Sequence, residues 1–239
     1  MYLKTGIFLI ITLTVTSLLA VLQQKINLGF EKITLPQLAP AIAFLIIAWI
    51  FKDLTFAVNF DFNKAVAGKT LIAFVIPLLL FGISFFIGKQ AGTNVEMTEN
   101  LPSILPMMII GILIGAVGEE IGWRAFLQPV LEKKHNVLIA AIIVGTIWGL
   151  WHVGHYKNGA LFMLGFLLFT ISASIIIAWI LRETQYNIII AAVFHIAVNL
   201  GFVLFFKNLL TDYKVMIING IIWLIPAIIL SVRFFIQIK

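Results

Sequence analysis

Three short patterns in an otherwise apolar chain have the residue types and spacing to do chemistry: Glu119 and Glu120 with Arg124, Trp148 with His152, and His195 with Asn199. Residues four apart return to one face of a helix, so Glu120 and Arg124 can form an ion pair. Glu119 is then left about 100° round the axis and unpaired. An unpaired carboxylate away from bulk water has its ionised form disfavoured, which suits it to the work of a general base. Imidazole and carboxamide groups carry donors and acceptors that hydrocarbon cannot satisfy, so they should point into the protein. The competing reading leaves the Glu119–Arg124 cluster in a solvated juxtamembrane loop.

The elements that must position these residues are membrane helices. Of 239 residues, 62% are hydrophobic and only 11% charged, which a water-soluble surface does not tolerate. Apolar runs predict spans at 6–23, 37–51, 69–88, 102–126, 137–156, 159–181, 187–206 and 215–235. Eight spans of about 20 residues leave little chain for anything else, so a single all-α polytopic bundle over 1–239 is expected, with no separate soluble domain. The first span follows Lys4 but is too long for a signal peptide and is read as retained. Between Lys52 and Lys69, Phe56, Val58, Phe60 and Phe62 lie among Lys and Asp and suggest a segment along the headgroups or a solvated loop. Eight spans put both termini on one side with Lys4, Lys52, Lys64, Lys69, Lys133, Lys134, Arg182, Arg233 and Lys239. Lys25, Lys32, Lys89, Lys157, Lys207 and Lys214 fall on the other. That bias favours cytoplasmic termini.

A charged residue at mid-bilayer costs about 2.5 to 3.5 kcal/mol even on the lenient insertion scale, so something must offset the two carboxylates. Phe126, Leu127, Val130 and Leu131 carry the apolar pattern past Arg124, so the helix should hold them at depth, with a kink near Pro129. Gly111, Gly115, Gly118 and Gly122 form a smooth strip for close packing of another helix or another chain. Trp148 can wall one side of His152. His155 reads as facing headgroups and His135 as a solvated loop residue. Ser84, Ser172 and Ser174 read as packing residues. Polar groups cluster between Glu119 and Asn199, so the site should come from the second half of the chain. A transporter of two equivalent halves would show matching interruptions.

Several chemistries are absent from the sequence. Without cysteine there is no disulfide, thiolate metal site or cysteine nucleophile. No His-Glu-x-x-His, Gly-x-Ser-x-Gly or Walker pattern occurs. The net charge of +6 is scattered in ones and twos, which fits anionic lipid rather than nucleic acid.

Taken in order, Glu119-Glu120-x-x-x-Arg124, Trp148-x-x-x-His152 and His195-x-x-x-Asn199 resemble the motifs of the CPBP family of intramembrane proteases, the CAAX-processing and bacteriocin-processing enzymes. The resemblance covers roughly 102–206. Trp148 stands where many members carry Phe, and Gly154-His155 where bacterial relatives often have Pro. The resemblance implies a membrane endopeptidase in which Glu119 activates water, His152 and His195 position it or stabilise charge, Asn199 helps hold the oxyanion, and Glu120 with Arg124 supports the site. It leaves two versions open: a metal-free centre, which is favoured, or a Zn²⁺ site of His152, His195 and Glu119 or Glu120. The implied partners are membrane lipid and a peptide or protein substrate, prenylated or bacteriocin-like, in a bacterial cell membrane. A proton-relay or transport protein and a non-catalytic immunity or scaffold protein remain as rivals.

Overall fold

A computed structural model describes residues 2–29, 33–52, 58–99, 101–206 and 211–236, the side chains of 101–107 and 235–236 excepted. Phe56, Lys32, Lys207 and Lys239, used in the sequence reading, lie outside the described residues. The described chain is helical throughout. Helix α1 (Tyr2–Lys25) leads through a 3₁₀ turn, Leu35–Leu38, into α2 (Ala39–Ile50), and α3 (Lys64–Gln90) precedes α4 (Leu101–Glu120). A π-helical turn, Ile121–Leu127, continues α4 into α5 (Gln128–Glu132). Then come α6 (Val137–Trp151), a 3₁₀ turn at Val153–Asn158, α7 (Ala160–Leu181), α8 (Ile188–Phe205) and α9 (Tyr213–Ile236).

Each of the eight expected spans contains a helix, and among the described residues five helices are long and apolar enough to cross a bilayer: α1, α3, α7, α8 and α9. α7 is the axis of the bundle, with 67% of its apolar stretch buried against 17% for α1. It packs most extensively on α9 and α6, and α3 on α8. Glycines permit the close approaches: a Cβ on Gly145 would lie 2.6 Å from the Ile171 backbone, and one on Gly165 2.6 Å from Met216. Large apolar side chains such as Trp49, Leu3, Ile10 and Phe86 cover the outside, where acyl chains rather than water must meet them. The protein is therefore an integral membrane protein.

Ends of helices meet as the charge partition predicts. Lys4 lies over the Phe51 ring, Lys69 pairs with Glu183 at 3.4 Å, and Arg182 sits over Phe234. The described residues just before α3, 58–63, are not a free loop. The Asn59 carbonyl accepts from the Ile188 N–H, Asn59 donates to the Thr184 carbonyl, and Asn187 donates to the Asp61 carbonyl. Those bonds tie the segment to the α7–α8 connection, Val58 packs on the core, and Phe60 and Phe62 stay exposed.

The fifth expected span, 137–156, ends early, at Trp151. In a continuing helix the Trp148 carbonyl would accept from the His152 N–H. Instead His152 Nδ1 lies 2.7 Å from that carbonyl while its N–H turns back to the Gly149 carbonyl. A side-chain donor has replaced a backbone donor, and the chain leaves the helix. The helix does run past Arg124, as expected, but a wide turn takes the place of a simple proline kink. Pro129 has no N–H to give to the carbonyl four residues back, and the π-helical turn comes directly before it, with the Gln128 N–H bonded to the Trp123 carbonyl.

Candidate active site

Glu119 and Glu120 end α4, and both are fully buried. The seven-residue π turn after them widens the helix just where it carries Trp123 and Arg124, a common placement for such turns at functional sites. The glycine strip decides what packs opposite. A Cβ on Gly115 would sit 2.3 Å from the Gln37 side chain, one on Gly118 2.9 Å from the Gln37 carbonyl, and one on Gly122 2.3 Å from Pro40. The strip therefore seats the Gln37–Pro40 turn of the same chain. Gln23 holds the approach to that turn by donating to the Leu28 and Ile33 carbonyls and accepting from the Leu35 N–H.

The two carboxylates have different surroundings. Glu120 pairs with Arg124 at 3.2 Å, as the spacing predicts, and accepts from His195 Nδ1 at 2.8 Å. The Arg124 contact lacks the alignment of a hydrogen bond, so it is a charge pair without a directed N–H, and the guanidinium also lies 5.6 Å from the Trp148 ring. Glu119 is not unpaired as expected, because three neutral N–H groups converge on it. Trp148 Nε1 at 2.7 Å and Trp123 Nε1 at 3.4 Å donate to Oε2, and Gln37 Nε2 donates to Oε1 at 2.8 Å. Such donors offset the loss of hydration without supplying a counter-charge.

His195, buried on α8, faces both carboxylates. Its Nδ1 is on Glu120, and its Nε2 is 3.9 Å from Glu119 Oε1, too far for a direct hydrogen bond and close enough for one water to touch both. A carboxylate paired with a guanidinium accepts, so Nδ1 carries the hydrogen and Nε2 keeps its lone pair when the ring is neutral. His152 follows the same logic: its Nδ1–H goes to the Trp148 carbonyl, and its ring interacts electrostatically with Glu119 and His195. Trp148 stands between the two imidazoles, with ring centroids 6.0 Å from His152 and 5.3 Å from His195.

Three distant stretches of sequence thus meet, and a fourth joins them. Asn199, one turn beyond His195 on α8, is half-buried, and among the described residues its amide bonds to none of the carboxylates or imidazoles. His155 was expected among headgroups. Its ring instead stacks on His152 at 5.8 Å and 8° and touches Phe162 and Phe166, and burial there holds its pKa down at about 4, with His152 and Lys157 adding to the effect. The site is also not confined to the second half of the chain. Gln37 was overlooked because a lone glutamine beside Pro36 and Pro40 has no spacing signal of its own. The indole of Trp148 was read as a wall, whereas its N–H is a ligand of Glu119.

Among the described residues no three His, Asp or Glu side chains are grouped as a metal site requires. His195 Nε2 faces Glu119, while Glu120 is taken up by Arg124 and by Nδ1 of His195.

The buried acid pair, the arginine and the two imidazoles lie between Glu119 and His195, with Asn199 one turn further along α8. Residues 101–201 match the Type II CAAX prenyl endopeptidase Rce1-like family model. The CPBP resemblance is a family match over that segment, and the family's description is that of an endopeptidase. Curated relatives extend the similarity into the first three helices. The lysostaphin resistance protein A of Staphylococcus haemolyticus is 28% identical over 237 residues, covering 94% of this chain and 65% of the relative. That of Staphylococcus aureus is 27% identical over 220 residues, covering 86% of this chain and 50% of the relative. The chain spans between half and two thirds of the length of these relatives.

Proposed function

We propose that this CAAX-endopeptidase-like protein hydrolyses a peptide bond of a membrane-associated substrate, with Glu119 as general base. The observation that carries the reading is the division of labour at Glu119. Oε2 is held by two indoles, while Oε1 accepts from Gln37 and faces His195 Nε2 across 3.9 Å, wide enough for one bridging water. In the reaction Glu119 Oε1 takes a proton from that water as its oxygen attacks the scissile carbonyl carbon. Charge gathers on the carbonyl oxygen, to which the Asn199 amide donates. Glu119 returns the proton to the leaving nitrogen as the C–N bond breaks, giving a carboxylate and an amine. The neutral His195 and His152 rings orient the water through Nε2, and Glu120 with Arg124 fixes the His195 tautomer.

Helix length supports water access. At 1.5 Å per residue, α2 with 12 residues and α6 with 15 fall short of the roughly 30 Å apolar slab, and the site lies where α2 begins and α6 ends. The centre is read as working without metal. Substrates would be prenylated or bacteriocin-type peptides or another lipid-bound peptide, in a bacterial cell membrane with cytoplasmic termini. The relatives' name adds a phenotype to follow, resistance to lysostaphin.

Membrane peptide profiles of cells carrying wild type or Glu119→Gln test this reading. The expected result is a set of peptides cleaved only with wild type, a difference of about 100-fold or more in turnover for loss of a general base. Cleavage by purified protein should survive exhaustive chelation. Identical profiles would overturn the protease, and loss on chelation with recovery in Zn²⁺ would overturn the metal-free centre.

A further inference from the structure

From the geometry around Glu119 we infer that Gln37, contributed by the 3₁₀ turn before α2, is a positioning residue for the Glu119 carboxylate. The inference rests on the protease reading for its consequence in catalysis but not for the contact itself. Gln37 lies outside the segment that matches the endopeptidase family, so no family motif assigns it a role. Its amide N–H donates to Glu119 Oε1 at 2.8 Å, and this is the oxygen that faces His195 Nε2. The indoles on Oε2 leave the carboxylate free to swing about the bond to that oxygen, and the contact at Oε1 removes the swing. An ionised carboxylate only accepts, so the amide must present its NH₂ there and turn its own oxygen away. That oxygen lies against the Gly115 Cα, where a Cβ would come within 2.3 Å of it. Gly115 is thus the space into which the amide fits. The backbone of the turn is seated independently, on Gly118 and Gly122.

This arrangement gives two routes to the same defect. Gln37→Met keeps length and volume but removes the N–H. Gly115→Ala keeps the N–H but pushes away the flexible end of the side chain, with backbone contacts at Gly118 and Gly122 intact. If both act through one hydrogen bond, the double variant is no worse than the more damaging single.

The test measures peptide turnover against pH for wild type, both single variants and the double, with thermal unfolding as the folding control. In parallel, infrared difference titration reads the Glu119 carboxylate band, identified by its loss in Glu119→Gln. The expected result for Gln37→Met is kcat lower on the order of 10- to 100-fold, with KM changed little. The acid limb of the profile should move to higher pH, because a donor to the ionised form is gone. The infrared band should move with it. An unaltered acid limb and an unaltered band in Gln37→Met would overturn the inference, as would strict additivity in the double variant. If wild type cleaves nothing while the band still moves in Gln37→Met, the protease reading fails and the positioning contact stands.

Discussion

One helical run carries a carboxylate on each side of its π turn, fully buried at Glu119 and half-buried at Glu132, and the two places differ in what their oxygens face. At Glu132 on α5, Oε1 accepts from Gln128 and Oε2 from the Tyr186 hydroxyl, so both oxygens are spoken for. Burial pushes the Glu132 pKa up, with Gln128 offsetting part of the effect. The contact joins α5 to the α7–α8 connection, where Gln185 and Tyr186 adopt left-handed backbone with φ near +50° and +56°. At Glu119 both oxygens also accept, Oε2 from two indoles and Oε1 from Gln37, but Oε1 in addition faces His195 Nε2 at 3.9 Å. A shielded carboxylate is therefore no marker of a site by itself, and what distinguishes Glu119 is an oxygen that faces an imidazole nitrogen. Glu132 looks structural by the same measure.

The largest effect that would break this contrast is expected at Arg124. Arg124→Met leaves Glu120 and His195 in the interior without their counter-charge, and removing one member of a buried pair costs about 3 to 5 kcal/mol. Thermal unfolding in detergent should show the drop, and an unchanged midpoint would mean the pair is hydrated after all. Next comes Gly122→Ala, which sets a methyl against the Pro40 backbone and should cost about 1 to 3 kcal/mol by overpacking. Gly115→Ala should cost less stability than Gly122→Ala, since only the end of a side chain has to move. A reversed order of midpoints would place the strip's main contact elsewhere.

Tyr186→Phe sharpens the comparison from the other side. Losing one hydrogen bond to Glu132 should lower stability by about 1 kcal/mol while peptide turnover stays at wild-type level. A large loss of turnover would make Glu132 part of the reaction. A last, pH-dependent effect concerns His155. Its folded pKa of about 4 lies below the ordinary 6.5, so as pH falls the unfolded chain takes up the proton first. Stability should decline between about pH 6.5 and about pH 4 and level off below, with no contribution above 6.5. His155→Gln should remove that part of the pH dependence, and an unchanged slope would leave His155 outside the stack.

Much of this was legible in the chain. Eight apolar runs marked the helices, and residues four apart marked the Glu120–Arg124 pair and the common faces of Trp148 with His152 and His195 with Asn199. The glycine spacing marked a packing strip without naming its partner. The early end of α6 could not be read, because Val153 and Gly154 do not disclose that an imidazole will take the Trp148 carbonyl. Nor could the docking of Asn59 and Asp61 on the α7–α8 connection, which depends on two asparagines far apart in sequence.

Periodicity and transfer energies act along a single stretch of polypeptide, so residue order alone determined an apolar helical bundle with an acid pair, its Glu120 paired to an arginine one turn on. Which donor holds which oxygen of Glu119, Gln37 at Oε1 and Trp123 with Trp148 at Oε2, depends on helices that meet only after packing. Hydrogen bonds act over a few ångströms and are blind to sequence separation. The tertiary structure alone therefore decided that a turn near the beginning of the chain would hold a carboxylate 82 residues away.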